Sequence, residues 1–185
     1  MKRPTREELA AAAGVEIADV IAPGLDVLFC GINPGLYSGA TGNHFARPGN
    51  RFWPALHLSG FTPRQLHPSE KDELLALGLG ITNVVARTTA RADELTVEEV
   101  VAGGRRLRRK VKRYGPRYLA VLGLGAYRVA FEVKDATVGP QPETIGETKV
   151  WLLPNPSGLN AHYQLPALAE EFAKLRRAAR PDGDR

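Results

Sequence analysis

The chain has 185 residues, 43% hydrophobic and 24% charged, with a formal net charge of +5 at pH 7. That length and balance suit one globular domain with a sizeable core and exclude a disordered or fibrous chain. Cys30 is the only cysteine, which excludes an internal disulfide, a cysteine-held iron–sulfur cluster and a multi-cysteine zinc site.

The opening MKRPTREELAAAAGVEIADV has no uninterrupted apolar region before Glu16, and no later stretch is long enough to span a bilayer. A cytoplasmic protein is expected, associated with the nucleoid if bacterial. Thr5 and Glu8 form a capping-box pair, so TREELAAAAG reads as a short helix with a glycine stop. Residues 1–19 are therefore expected to be a helical extension, and residues 20–185 the main domain. LDVLFC, from Leu25 to Cys30, is a short apolar run bounded by glycines and reads as a buried parallel strand. NRFWPALHLSG places Phe52, Trp53 and Leu56 on a helix that Gly60 ends. LGLGITNVV, Leu77 to Val85, is a second strand.

Thr96 and Glu99 repeat the capping-box signature, and Leu107, Val111 and Tyr114 carry a helical stripe to Gly115. RYLAVLGLGAY gives a third strand running into a helix, and TKVWLLPNPSG a fourth strand and a loop. The last helix is expected from Leu165 to Ala179, before Pro181. Strands separated by helices imply a parallel sheet covered on both faces. Lys and Arg crowd GGRRLRRKVKRYGPR and KLRRAARPDGDR, which suits a polyanion; solvated helix faces explain them equally well. His44, His57, His67 and His162 show no spacing that suggests a metal pair and read as core or solvated residues.

In an open parallel sheet, ligands bind beyond the carboxyl ends of the strands. Three polar loops leave those ends: GINPGLYSGATGNHF, TNVVARTTARADE and PNPSGLNAH. In the first, Gly31, Gly35, Gly39 and Gly42 let backbone amides converge on an anion. Neither G-x-x-x-x-G-K-[ST] nor G-x-G-x-x-G occurs there, and GLGAY reads as a tight strand-to-helix turn. A nucleotide-binding hydrolase would use the glycine loop as a cradle, yet no lysine or paired acids follow it in the usual pattern. A non-catalytic DNA-binding module would use the basic helices alone.

GINPGLYSGATG, HFARPGNRFW, GFTPRQL, GITNVVARTTARADEL and LPNPSGL, in that order, resemble the mismatch-specific uracil/thymine-DNA glycosylase family from about Val20 to the last helix. The resemblance implies a three-layer α/β/α fold around a four-stranded parallel sheet. It also implies monofunctional excision of uracil, or of another damaged or mismatched pyrimidine, from double-stranded DNA. No metal and no cofactor are implied, and a monomer is expected.

By the same resemblance Asn33 is the water-positioning residue, whereas in isolation an asparagine before Pro34 reads as a turn residue. An amide orients water but cannot take its proton near neutral pH. Phe45 resembles the stacking aromatic, although without the flanking motif ordinary core packing is the preferred reading. The backbone around Ile32 and Tyr37 is expected to meet the base oxygens. Asn83 stands by the pocket where some relatives carry lysine. NPSGLNAH resembles the intercalating segment: Pro156 and Gly158 shape a turn, Leu159 is the wedge, and Ser157 meets phosphate. Asn155 takes the place of a histidine electrophile found in other branches, and His162 is the substitute for a basic residue that relatives often carry shortly after the wedge leucine. Asp93 is the candidate carboxylate, because Thr96 already supplies the helix cap that would otherwise explain it; an aspartate favouring a helix dipole is the plainer reading.

Overall fold

The computed structural model describes residues 3–183. Its strands are β1 (Val27–Gly31), β2 (Leu79–Asn83), β3 (Tyr118–Leu122), β4 (Gly139–Ile145) and β5 (Thr148–Leu153). Its α-helices are α1 (Arg6–Ala11), α2 (Leu36–Thr41), α3 (Phe52–Leu58), α4 (Glu73–Ala76), α5 (Val97–Tyr114), α6 (Leu124–Ala130) and α7 (Leu165–Ala179).

They form one five-stranded sheet in the order β2-β1-β3-β5-β4, with β1, β2, β3 and β5 parallel. The expectation of four strands is corrected here. β4 is a fifth strand, antiparallel to β5 at the sheet edge and interrupted between Pro140 and Thr144. Its sequence, GPQPETI, carries two prolines and no apolar run, which hides a strand from pattern reading. Prolines are tolerated there because an edge strand leaves one row of N–H groups unpaired.

The parallel strands are buried on both sides. Val27 and Phe29 point into a core shared with α3 and α7, while Leu28 and Cys30 join a second core with α5 and α6. Two helical layers therefore cover the sheet, as expected for α/β/α. The Thr96 capping box is made in full, and Gly115 closes α5 at φ 57°. The chain leaves β1 for β2 on one side and returns to β3 on the other, so the loops diverge and open a crevice at the carboxyl ends.

The glycine-rich loop after β1 is not wholly irregular, because its middle forms the short helix α2. The N-terminal segment is joined to the domain: α1 packs against α2, Glu16 bridges Arg87, and Val20 bridges Ile81. Among the described residues, no helix is long and apolar enough to cross a membrane.

Candidate active site

A cavity of about 440 Å³ occupies that crevice. Gly31, Ile32 and Asn33 line it from the end of β1, Asn83 from β2, Leu122 from β3, and Asn155 from the loop after β5. The sheet thus gathers segments far apart in sequence.

Asn33 is held by its amide nitrogen. Nδ2 donates to the Arg87 carbonyl at 3.0 Å and to Thr89 Oγ1 at 2.8 Å, and Thr89 Oγ1 in turn donates to the Arg91 carbonyl at 2.8 Å. Both amide hydrogens are spent, so Oδ1 remains as the acceptor at the cavity. Segment 87–89 is itself fixed from several sides. Thr89 N donates to Pro34 O at 3.2 Å, and Gly14 N donates to Thr88 O at 2.9 Å. The Arg87 guanidinium grips Glu99 through two bonds of 2.7 and 3.0 Å, and that pairing holds the Glu99 carboxyl down at about 2.

Phe45 has φ 51°, a left-handed conformation that costs a non-glycine residue roughly 1–2 kcal/mol. Its ring stacks on Phe52 with centroids 4.2 Å apart, an interaction that offsets about 0.5–1.5 kcal/mol of that cost. The turn is pinned further by Trp53 Nε1 donating to His44 O at 3.1 Å and by Ala46 N donating to Ser38 Oγ at 3.3 Å. The Phe45 ring therefore forms a fixed flat wall of the cavity.

Gly31 forms the floor between that ring and Asn83. A Cβ at this position would lie 2.8 Å from Asn83 Oδ1 and 3.4 Å from Phe45 Cζ. His44 is buried, with Nε2 2.8 Å from the Ala18 carbonyl and Nδ1 3.4 Å from Asn83 Nδ2. Burial pushes its pKa below 6.5, against the opposing pull of the Ala18 bond. Tyr37 lines the cavity from the first turn of α2, where backbone N–H groups have no partner within the helix.

The structure thus brings Asn33, Ile32, Tyr37, Phe45, Asn83, Asn155 and Pro156 together around one cavity. Ser157, Gly158, Leu159 and His162 do not line it; they form the neighbouring loop. Leu159 is 78% exposed, the most exposed large apolar side chain among the described residues, on a turn closed by Ser157 N donating to Asn155 Oδ1 and Leu159 N donating to Ser157 Oγ. His162 is exposed, its backbone N–H bonded to Asn160 Oδ1 at 3.0 Å. Asp93 lies outside the cavity lining, in the 3-10 turn Ala92–Glu94, with a carboxylate 69% exposed and 3.1 Å from Arg91 Nε.

Sequence reasoning took His44 only as a core or solvated residue and passed over Thr89 and the two arginines Arg47 and Arg91; all four line the same cavity. His44 directly precedes Phe45, and Thr89 precedes Asp93 in the same loop, so position within the motifs was the available signal. No Asp or Glu is among the described residues that line the cavity. The arrangement offers a flat ring face, amide acceptors and a cationic mouth.

The chain belongs to the uracil DNA glycosylase superfamily, which it matches over residues 18–180. It is by class a hydrolytic DNA glycosylase, with DNA as substrate and DNA repair as its setting.

Proposed function

We propose that this protein is a monofunctional glycosylase that excises uracil, flipped out of a mismatched duplex, by hydrolysing its N-glycosidic bond. The observation that carries this reading is the orientation of Asn33: with both amide hydrogens held by Arg87 O and Thr89 Oγ1, its Oδ1 is left to orient a water. The Phe45 ring receives the face of the extruded base. Asn83 Oδ1, on the floor beside Gly31, accepts the imide N–H of uracil or thymine. Leu159 fills the gap that the base leaves in the stack.

Asn33 lacks a basic group, so bond breaking leads and the oriented water captures the cation-like sugar carbon. The base departs as an anion, and the water's proton passes to solvent. A slow enzyme follows from this division of labour. We assign the step to Asn33 rather than Asp93, whose carboxylate is paired with Arg91 outside the lining. The monofunctional reading rests on the chemistry of the lining: a lyase needs an amine nucleophile, and none of the described residues around the cavity is a lysine.

The test is an end-labelled duplex with one G·U pair, incubated with the protein in EDTA and then treated with hot alkali. Scission at the uracil only after alkali is expected. Scission without alkali would refute the monofunctional assignment, and none in either case would refute uracil as substrate. Asn33→Ala is expected to lower the single-turnover rate by about 100-fold or more, with Asp93→Asn close to the unsubstituted rate; the opposite ranking would transfer the role to Asp93.

A further inference from the structure

Arg51 is not part of the cavity lining, yet its guanidinium holds the whole loop that carries Leu159. Nη1 donates to the carbonyls of Ser157 at 3.3 Å, Asn160 at 2.8 Å and Tyr163 at 2.9 Å. Nη2 donates to the Gly158 carbonyl at 3.1 Å and to Gln164 Oε1 at 3.0 Å. The Arg51 backbone N–H adds a bond to Pro156 O at 2.8 Å. Residues 154–164 contain no helix or strand, so their carbonyls have no ladder to satisfy them.

The same residue is fastened to the base pocket. Asn50, its neighbour, lines the cavity and accepts the Phe52 N–H at 2.9 Å, and Phe52 is the ring on which Phe45 stacks. One residue earlier, Gly49 O packs so closely on Gly158 that a Cβ there would come within 2.6 Å. Segment 49–52 therefore touches the exposed loop with one side and the pocket wall with the other.

We propose that Arg51 is a positioning residue that sets Leu159 at a fixed height and distance from the base pocket, so that insertion of the leucine and capture of the base occur together. This rests on the reading of Leu159 as the wedge. A planar fork with several donors suits convergent carbonyls; the single ammonium of lysine does not reproduce it. A misplacement of about 1 Å in such a machine costs up to roughly 100-fold in rate.

The experiment is a double-mutant cycle on single-turnover excision from a G·U duplex, using Arg51→Met, Leu159→Ala and the pair, with thermal melts of each protein. Each single substitution is expected to lower the rate by about tenfold or more, and the pair no further than Leu159→Ala alone, because Arg51 acts only through the leucine. Arg51→Lys, which keeps charge and length, is expected to behave like Arg51→Met and serves as the folded control if the methionine variant melts early. Multiplying losses, or an unsubstituted rate in both Arg51 variants, would overturn the proposal. Leu159→Ala without effect would instead remove the wedge reading beneath it, and absence of excision by the unsubstituted protein would remove uracil as the substrate.

Discussion

His44 decides which way Asn83 faces. Its Nε2 donates to the Ala18 carbonyl, which leaves Nδ1 as the acceptor that draws the amide nitrogen of Asn83 and turns Oδ1 over Gly31. Protonation would put an N–H at Nδ1 against the N–H of Asn83 and reverse the amide, presenting a donor where the proposed recognition of an imide N–H needs an acceptor. Because burial lowers the His44 pKa from 6.5, this reversal belongs below that value. In a profile of kcat/KM against pH, an acid limb with its midpoint under 6.5 is expected for the unsubstituted protein. The limb should shift or vanish in His44→Gln, and one that persists unchanged would remove His44 as its source. Stability follows the same sign. The unfolded chain takes up a proton as pH falls through 6.5 while the folded chain resists it, so the urea midpoint is expected to be lower at about pH 5.5 than at about pH 7.5.

At the scale of elements, α5 is seated closely at two adjacent glycines. Gly103 and Gly104 meet backbone, since a Cβ on Gly103 would overlap Val84 O and one on Gly104 would overlap Ala130 O. Alanine gains about 1 kcal/mol in helix propensity over glycine. Overpacking costs typically 1–3 kcal/mol, and more where the struck atom is backbone that cannot swing away. Gly104→Ala is therefore expected to lower the urea midpoint, with excision intact well below the transition. Gly103→Ala strikes the residue after Asn83 and is expected to lower excision as well; equal excision in the two variants would contradict this. The course of α5 was legible in sequence because its start and stop are local chemistry, Thr96 with Glu99 and then Gly115. The close approach of its glycines was not, since it depends on which helix lies alongside. β4 was hidden by Pro140 and Pro142, and α2 by the glycines around it. The cavity lining was legible where motifs carry it, at Asn33, Phe45 and Asn83, whereas Leu159 stands on the neighbouring loop. The site was illegible where long-range bonds build it. Nothing local announces that Arg87 and Thr89 hold Asn33 across more than fifty residues of chain, or that Arg51 holds the loop beyond Asn155.

At the scale of the molecule, positive charge and chemistry are only partly coincident. The cavity, Leu159 and the arginines Arg47 and Arg91 lie at the carboxyl end of the sheet. α5 begins beside that rim at Thr96 and runs 18 residues, about 27 Å at 1.5 Å per residue, to the opposite edge, where Gly115 turns the chain into β3. The exposed Lys112 and Arg113 therefore stand at the far end from the cavity, although in sequence they belong to the most conspicuous basic run. If the cavity takes a base as proposed, the flanking phosphates fall to Arg47 and Arg91, which line it, and not to Lys112 and Arg113. Each phosphate contact adds about 0.9 to the slope of log K against log salt. Arg47→Ala is accordingly expected to reduce that slope by about 0.9 for a duplex with a single non-cleavable uracil analogue, whereas Lys112→Ala and Arg113→Ala leave it unchanged. Titrations of the labelled duplex at several salt concentrations check this. A slope that falls with the α5 substitutions and not with Arg47→Ala would place the duplex along the helix and away from the cavity that this fold has assembled.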